Sequence, residues 1–346
     1  MLVNCTDNDL GVSTSIEEIK EWSPIRLKRD MFGNLRVVWA KFDGVSFTGE
    51  SFFSREIKRY ESNYVSGNGA GYLETDVEAL LQSVSVRNFL PLKGLILHTS
   101  HSGSTLVNNM LGALEKNLAV SEPVILKDWS RLYGADSRQH SVKNDLLIKS
   151  ILAAYGEKRT GVEQNFIVKL NSWHMFSSRV FSSAYQSIPW LCIYRHPIEI
   201  LMGRVKRDLF SNYTWVDRGV GLVLSNEQKI RASAVELMAR NLGYMYRYIR
   251  ENFVGKENIF CVDYGDFSND LYEKILRHFS LPVSEDEFSS MFSASQYHSK
   301  SDSKDKKAFV SDSEERRKNA PKDIISLVEH YALKEYELLR ESLANN

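Results

Sequence analysis

With 346 residues, 43% of them hydrophobic, the chain can bury a full core and has room for one large α/β domain plus an appendage. Lys plus Arg and Asp plus Glu balance at 44 each, so bulk charge argues for neither nucleic acid nor a membrane surface as a partner. No apolar run approaches the ~20 residues that cross a bilayer, the opening MLVNCTDNDLG lacks the basic and apolar regions of a secretory signal, and Cys5, Cys192 and Cys261 are far apart and odd in number, so a reduced, cytoplasmic protein is expected.

Residues 1–88 read as a small accessory unit. Alternation over 25–29, a turn at Phe32-Gly33-Asn34 and a strand-like run over 35–42 predict an antiparallel hairpin. A short helix over 52–60, a loop over 65–72 and a helix over 77–84 follow. The aromatics Trp22, Trp39, Phe42, Phe47, Phe52 and Phe53 suit either this unit's own core or the face by which it docks. The rest, 89–346, alternates strand and helix. Strands are predicted over 95–97, 118–122, 165–170, 188–194 and 259–262, and helices over 106–114, 139–155, 177–185, 227–252 (from a Ser225-x-x-Gln228 capping signal), 271–279 and 321–343. Residues 211–224 read as a mobile loop over the site and 296–307 as a polar loop. The pattern implies an α/β fold, a parallel sheet flanked by helices, with the hairpin unit in front.

One stretch carries a chemical signal, GLILHTSHSGSTLVNNMLGAL over 94–114. It reads as strand, tight loop and helix. A loop of small residues entering a helix N-terminus aims backbone N–H groups and the positive end of the helix dipole at one spot, which favours phosphate. An ordinary capped helix after a buried strand fits the stretch equally well. The nucleoside-triphosphate pattern is not met, because no Lys follows Gly103.

The loop His101-Ser102-Gly103-Ser104-Thr105 resembles the 5′-phosphosulfate loop of the sulfotransferase superfamily, and a second segment, Tyr194-Arg195-His196-Pro197-Ile198-Glu199-Ile200-Leu201-Met202-Gly203, resembles that family's 3′-phosphate motif. A third, over 299–313, is similar to its late basic loop and contains Lys306 and Lys307. The triplet Ser121-Glu122-Pro123 is similar to a bacterial branch. The resemblance covers about 92–343 and implies a P-loop-type fold with 3′-phosphoadenosine-5′-phosphosulfate (PAPS) as donor, a small-molecule hydroxyl or amine as acceptor, and no metal. It implies His101, Ser102, Gly103, Ser104, Thr105, Arg195, Gly203, Lys306 and Lys307 as donor ligands. Glu122 becomes the base and Lys169 the support for leaving-phosphate charge, with His174 as reserve base.

Each of these residues also has an ordinary reading. Glu122 and Arg195 suit structural ion pairs, Lys169 a solvated strand end, and His174, between Trp173 and Met175, a core position. Two positions depart from the family, His101 for Lys or Arg and Gly203 for Ser; a Ser restored at 203 would be expected to keep or improve donor affinity. A nucleotide-dependent kinase, with Asp263 as the position to watch for Mg²⁺, and a non-catalytic nucleotide-binding protein remain the alternatives. The oligomeric state stays open, a homodimer included.

Overall fold

The computed structural model describes residues 17–42, 53–65, 71–133, 142–205, 231–295 and 312–345, together with Ser225 and Glu227. Cys5, Phe47, Phe52, the 211–224 loop, Gln228, Lys306 and Lys307 lie outside the described residues.

Five short apolar runs make the main sheet: β4 (Leu92–His98), β5 (Asn117–Ser121), β6 (Asn165–Lys169), β7 (Trp190–Tyr194) and β8 (Ile259–Asp263). Every residue of β5, β6 and β7 is buried, as expected for strands covered on both faces. The order is β5-β6-β4-β7-β8, all parallel. Central β4 is flanked by β6 on one side and β7 on the other, so the strand order reverses there. Such a switch point opens a crevice at the C-terminal edge, where the loop after β4 emerges. Alternate β4 side chains feed two cores: Leu95 and Leu97 pack with Ile151, Val168 and Trp190, whereas Ile96 packs with Val107, Leu111, Ile275 and Phe279.

The front unit is a three-stranded antiparallel sheet of β1 (Ser23–Arg29), β2 (Leu35–Ala40) and β3 (Tyr72–Asp76). The predicted hairpin is present, its turn fastened by the Asp30 carboxylate, which accepts from the backbone N–H of Phe32 and Asn34, each at 2.9 Å. Strand β3 takes in only the last residue of the loop read over 65–72, Tyr72, which pairs with Ala40, and 66–70 lie outside the described residues. Trp39 is fully buried and donates its indole N–H to Thr75 Oγ1 at 2.9 Å. The sheet is tied to the rest of the chain by polar clamps. Asp128 accepts from Arg26 Nε (2.6 Å) and Leu27 N (3.2 Å), and buried Arg87 pairs with Glu157 while donating to the carbonyls of Ile19, Lys20 and Trp22. One apolar core runs from Trp39 and Leu27 to Leu95 and Val168.

The described helices are α1 (Phe53–Val65), α2 (Val77–Ser83), α3 (Ser104–Leu111), α4 (Val124–Tyr133), α5 (Val142–Tyr155), α6 (Ser178–Ala184), α7 (Pro197–Val205), α8 (Ala234–Asn252), α9 (Asn269–His278), α10 (Glu285–Ser295), α11 (Ser313–Lys318), α12 (Lys322–Val328) and α13 (Lys334–Ala344). None of them is long and apolar enough to cross a membrane. Helix α8 starts at Ala234, where the Ser233 side chain accepts from Glu236 N (3.1 Å); Glu227 and Arg231 are helical too, so the helix read over 227–252 is interrupted at 232–233, while 228–230 lie outside the described residues. Helices α12 and α13 are joined by a π-helical turn, Glu329–Leu333, which lies against α8 at Gly243. A Cβ at 243 would stand 1.9 Å from the carbonyl oxygen of Tyr331, a backbone atom that cannot swing aside. Gly243→Ala should therefore destabilise the protein by about 3 kcal/mol, the upper end of ordinary overpacking costs. Chemical denaturation checks this; a loss close to zero would mean that the two helices separate freely.

Candidate active site

The site grows from the C-terminal ends of β4, β5, β6 and β7. After β4 the backbone takes left-handed conformations at Ser100 (φ 69), His101 (φ 48) and Gly103 (φ 82). Two of these are not glycine, and such conformations cost on the order of 1 kcal/mol or more each, so the surroundings must hold them. Three contacts do: Ser100 N donates to His98 Nδ1 (2.9 Å), and Thr99 N and Ser102 Oγ both donate to the Ile193 carbonyl on β7, at 3.1 and 3.0 Å. Gly103 is required twice over, since a Cβ there would also strike the Tyr264 ring at 2.6 Å. A tight turn of this kind can present successive backbone N–H groups to an anion. The N-cap of α3 is Gly103, which has no side chain to cap the helix, and a helix N-terminus of this kind favours an anion. Ser104 and Thr105 lie buried in that turn.

Glu122 follows β5 in a left-handed conformation (φ 56), with its N–H bonded to the Lys169 carbonyl at 2.7 Å. Its Oε1 pairs with the ammonium of Lys169, the last residue of β6, and lies 3.6 Å from His98 Nε2. Its Oε2 accepts from Asn171 Nδ2 at 2.6 Å. Lys169 is fully buried, and its Nζ also approaches Ser121 Oγ at 3.4 Å. Burial pushes the Glu122 carboxyl up, but the Lys169 charge and the His98 contact outweigh it and hold the group well below the usual carboxylate range. Because His98 Nδ1 accepts from Ser100, its proton sits on Nε2, facing Glu122. His98 thus links loop to carboxylate. The sequence reading missed it, although its place at the strand end directly before the loop was the available signal.

His174 has a different duty. Its Nδ1 accepts from Asn171 N (3.2 Å), its Nε2–H faces the Leu126 carbonyl (3.1 Å), and the ring is fully buried. Both nitrogens thus face backbone atoms, at Asn171 and Leu126.

Arg195 closes the other side, after β7. It is buried, stacks at 4.0 Å over the Tyr264 ring, and donates to Glu199 Oε2 (2.6 Å), the His101 carbonyl (3.0 Å), Ser313 Oγ (3.0 Å) and Asp312 Oδ1 (3.4 Å). Asp312 and Ser313, the described end of the third motif, are thereby brought to Arg195. Three further guanidiniums gather here that the sequence did not single out. Arg204 donates to Ser100 Oγ (3.2 Å), Arg316 to the Glu199 carbonyl (2.8 Å), and Arg317 pairs with Glu199 Oε1 (3.2 Å). Burial pulls Arg204 down to about 10, which still leaves it charged near neutrality. Among the described residues these four guanidiniums lie near two carboxylates, Glu199 and Asp312, an arrangement that suits an anion.

Asp263, at the end of β8, is spent elsewhere. It accepts from Tyr336 Oη (2.6 Å) and Gly265 N (2.8 Å), and burial raises its carboxyl.

Among solved structures the fold is similar to the sulfotransferase domain of the olefin synthase of Synechococcus PCC 7002, with 14% identity over 71% of this chain and 95% of that one and a TM-score of 0.40. It is also similar to the sulfotransferase STF1 of Mycobacterium tuberculosis H37Rv, with 13% identity over 78% of this chain and 82% of that one and a TM-score of 0.32. No family model matches the chain and no curated protein matches it in sequence. Likeness at this level extends to the fold alone; chemistry has to come from the side chains.

Proposed function

We propose that the protein is a sulfotransferase that uses PAPS as donor and a hydroxyl or amine of a small molecule as acceptor. One observation supports the reading: the left-handed loop before α3 and a cluster of guanidiniums flank a Lys169–Glu122 pair at one sheet edge, where phosphate binding, leaving-group support and proton acceptance would converge. The loop N–H groups with Ser104 and Thr105 would hold the 5′-phosphate, and Arg195 the 3′-phosphate. Lys306 and Lys307 are proposed donor ligands from the sequence resemblance only.

The donor supplies a sulfuryl group whose bond to a phosphate oxygen breaks with its electron pair left on that oxygen. Lys169 meets that charge, which draws its ammonium away from Glu122. Glu122, released from its cation inside a largely dry site, becomes a better base and takes the acceptor's proton as the new S–O or S–N bond forms. The resting ion pair thus keeps the base masked until the donor engages Lys169. A kinase on the same scaffold is less well served, because Asp263 is committed to Tyr336 and Gly265.

Thermal shift tests the donor. 3′,5′-Adenosine bisphosphate should raise the melting temperature by mass action, and ATP with Mg²⁺ should not. In the same assay Arg195→Ala should weaken the bisphosphate by at least ~1.5 kcal/mol, the contribution of a hydrogen bond to a charged group. Stabilisation by ATP with Mg²⁺ alone would replace this reading with the kinase.

A further inference from the structure

The glycine at 203 is explained by its neighbours. A Cβ built there would lie 2.5 Å from Arg316 Nη1, 3.1 Å from its Cζ and 3.3 Å from His101 Nδ1, so the Arg316 guanidinium already fills the room a side chain would need. Arg316 reaches that seat from α11, with Nη1 on the Glu199 carbonyl (2.8 Å) and Nη2 on Asp312 Oδ2 (2.7 Å). Its buried Nε has no acceptor among the described residues. The other oxygen of Asp312 reaches Arg195 Nη2 at 3.4 Å, so a single carboxylate bridges the two guanidiniums. Burial pushes the Asp312 carboxyl up, but Arg316 and Arg195 outweigh it and hold it low, as befits a seat built for an anion. A carboxylate brings two oxygens and one charge. A phosphate brings three oxygens and up to two charges, enough to satisfy the same Nη groups and the idle Nε as well.

We propose that Arg316 is a phosphate ligand seated where the resembling family carries a hydroxyl, and that Asp312 is an internal stand-in which Arg195 and Arg316 exchange for the second phosphate of a nucleoside bisphosphate. The proposal rests on the donor reading above. It reverses the sequence expectation for position 203: a Ser there would compete with Arg316 for one space. Ser becomes useful only after Arg316 is gone.

Calorimetry with 3′,5′-adenosine bisphosphate and with adenosine 5′-monophosphate, on variants shown by melting to be folded, tests this. Arg316→Ala should weaken the bisphosphate at least about tenfold and leave the monophosphate nearly unchanged. Gly203→Ser should weaken bisphosphate binding in the wild-type background and strengthen it in the Arg316→Ala background, a reversal of sign that a merely structural role would not give. Asp312→Asn, which removes the competing charge while keeping the shape, should tighten the bisphosphate. Arg316→Lys, a milder change that keeps the charge but not the fork, should fall between wild type and Arg316→Ala. If wild type binds the bisphosphate and Arg316→Ala binds it equally well, or if both nucleotides weaken alike, the assignment of Arg316 fails and the donor reading stands. If wild type does not bind the bisphosphate, both fail.

Discussion

Glu122→Gln should cut turnover about 10²–10⁴-fold, the usual contribution of a positioned general base, with bisphosphate affinity nearly unchanged. Gln keeps the length of the side chain and an oxygen for Asn171 Nδ2, and loses the ability to take a proton together with the charge that pairs with Lys169. The same change should lower stability. Removing one partner of a buried ion pair costs on the order of 3–5 kcal/mol, and because the Glu122 side chain keeps 20% exposure the lower end, about 3 kcal/mol, is expected. The loss should depend on pH in a defined sense. The folded carboxyl titrates well below its unfolded value of about 4.3, so its contribution is fully present above that pH and shrinks as pH falls further. Melting curves of wild type and variant should therefore differ most at neutral pH and converge in acid. Turnover would be followed with labelled donor on an acceptor found by screening hydroxylated and amino metabolites. A variant that kept near-full turnover on that acceptor would remove Glu122 from the chemistry, and the Lys169–Glu122 pair would be structural.

The parts of this site that were legible share one property, a polar residue ending an apolar strand. Glu122, Lys169 and Arg195 each follow or end a run that is buried throughout, where a charge stands out against Val, Ile and Leu. The loop was legible because Gly103 sits between hydroxyl residues at the mouth of a helix. Residues that reach the site from elsewhere left no such mark. Arg316 belongs to a six-residue helix of two acids followed by three bases, Ser-Glu-Glu-Arg-Arg-Lys, and only its seat against Gly203, over a hundred positions away in the chain, separates it from a solvated run. Strand β3 is five residues long, and its partner β2 lies more than thirty residues earlier, so local alternation could not announce the pairing. The start of α8 shows a different limit. Ser-x-x-Gln at Ser225 and Ser-x-x-Glu at Ser233 carry the same capping chemistry, so the sequence did not show that Ser233 opens a helix of its own, whose apolar face, Met238, Leu242 and Met245, packs into the core. His174 was hard to place for the opposite reason: a histidine's two nitrogens suit a helix cap as well as catalysis, and only the fold shows that they face backbone at Asn171 and Leu126.

Lys169→Met separates the proposed mechanism from a static ion pair. Methionine matches the lysine stem in length and keeps the apolar contacts of a fully buried side chain, so what is lost is the ammonium. Support for charge on a leaving oxygen by one fixed donor is worth about 10²–10³ in turnover, and a loss of that size is expected. The variant also unmasks Glu122. Its Oε1 loses the main cation holding the carboxyl low, while the desolvation that pushes it upward stays. The folded carboxyl should then titrate above its unfolded value, which inverts the pH dependence of stability. A raised carboxyl contributes stability below about pH 4.3 and withdraws it as pH rises through the folded value, so Lys169→Met should gain stability on mild acidification where wild type gains none. Residual activity should show the same unmasking: the acid limb of its pH–rate profile should move to higher pH, because the base now titrates nearer neutrality. The double variant Lys169→Met, Glu122→Gln should lose both pH effects, since the titrating carboxyl is gone. If Lys169→Met kept turnover within a factor of a few, or if its acid limb and melting profile tracked wild type, then Lys169 would not be the group that masks Glu122, and release of the base by the donor would have to be abandoned.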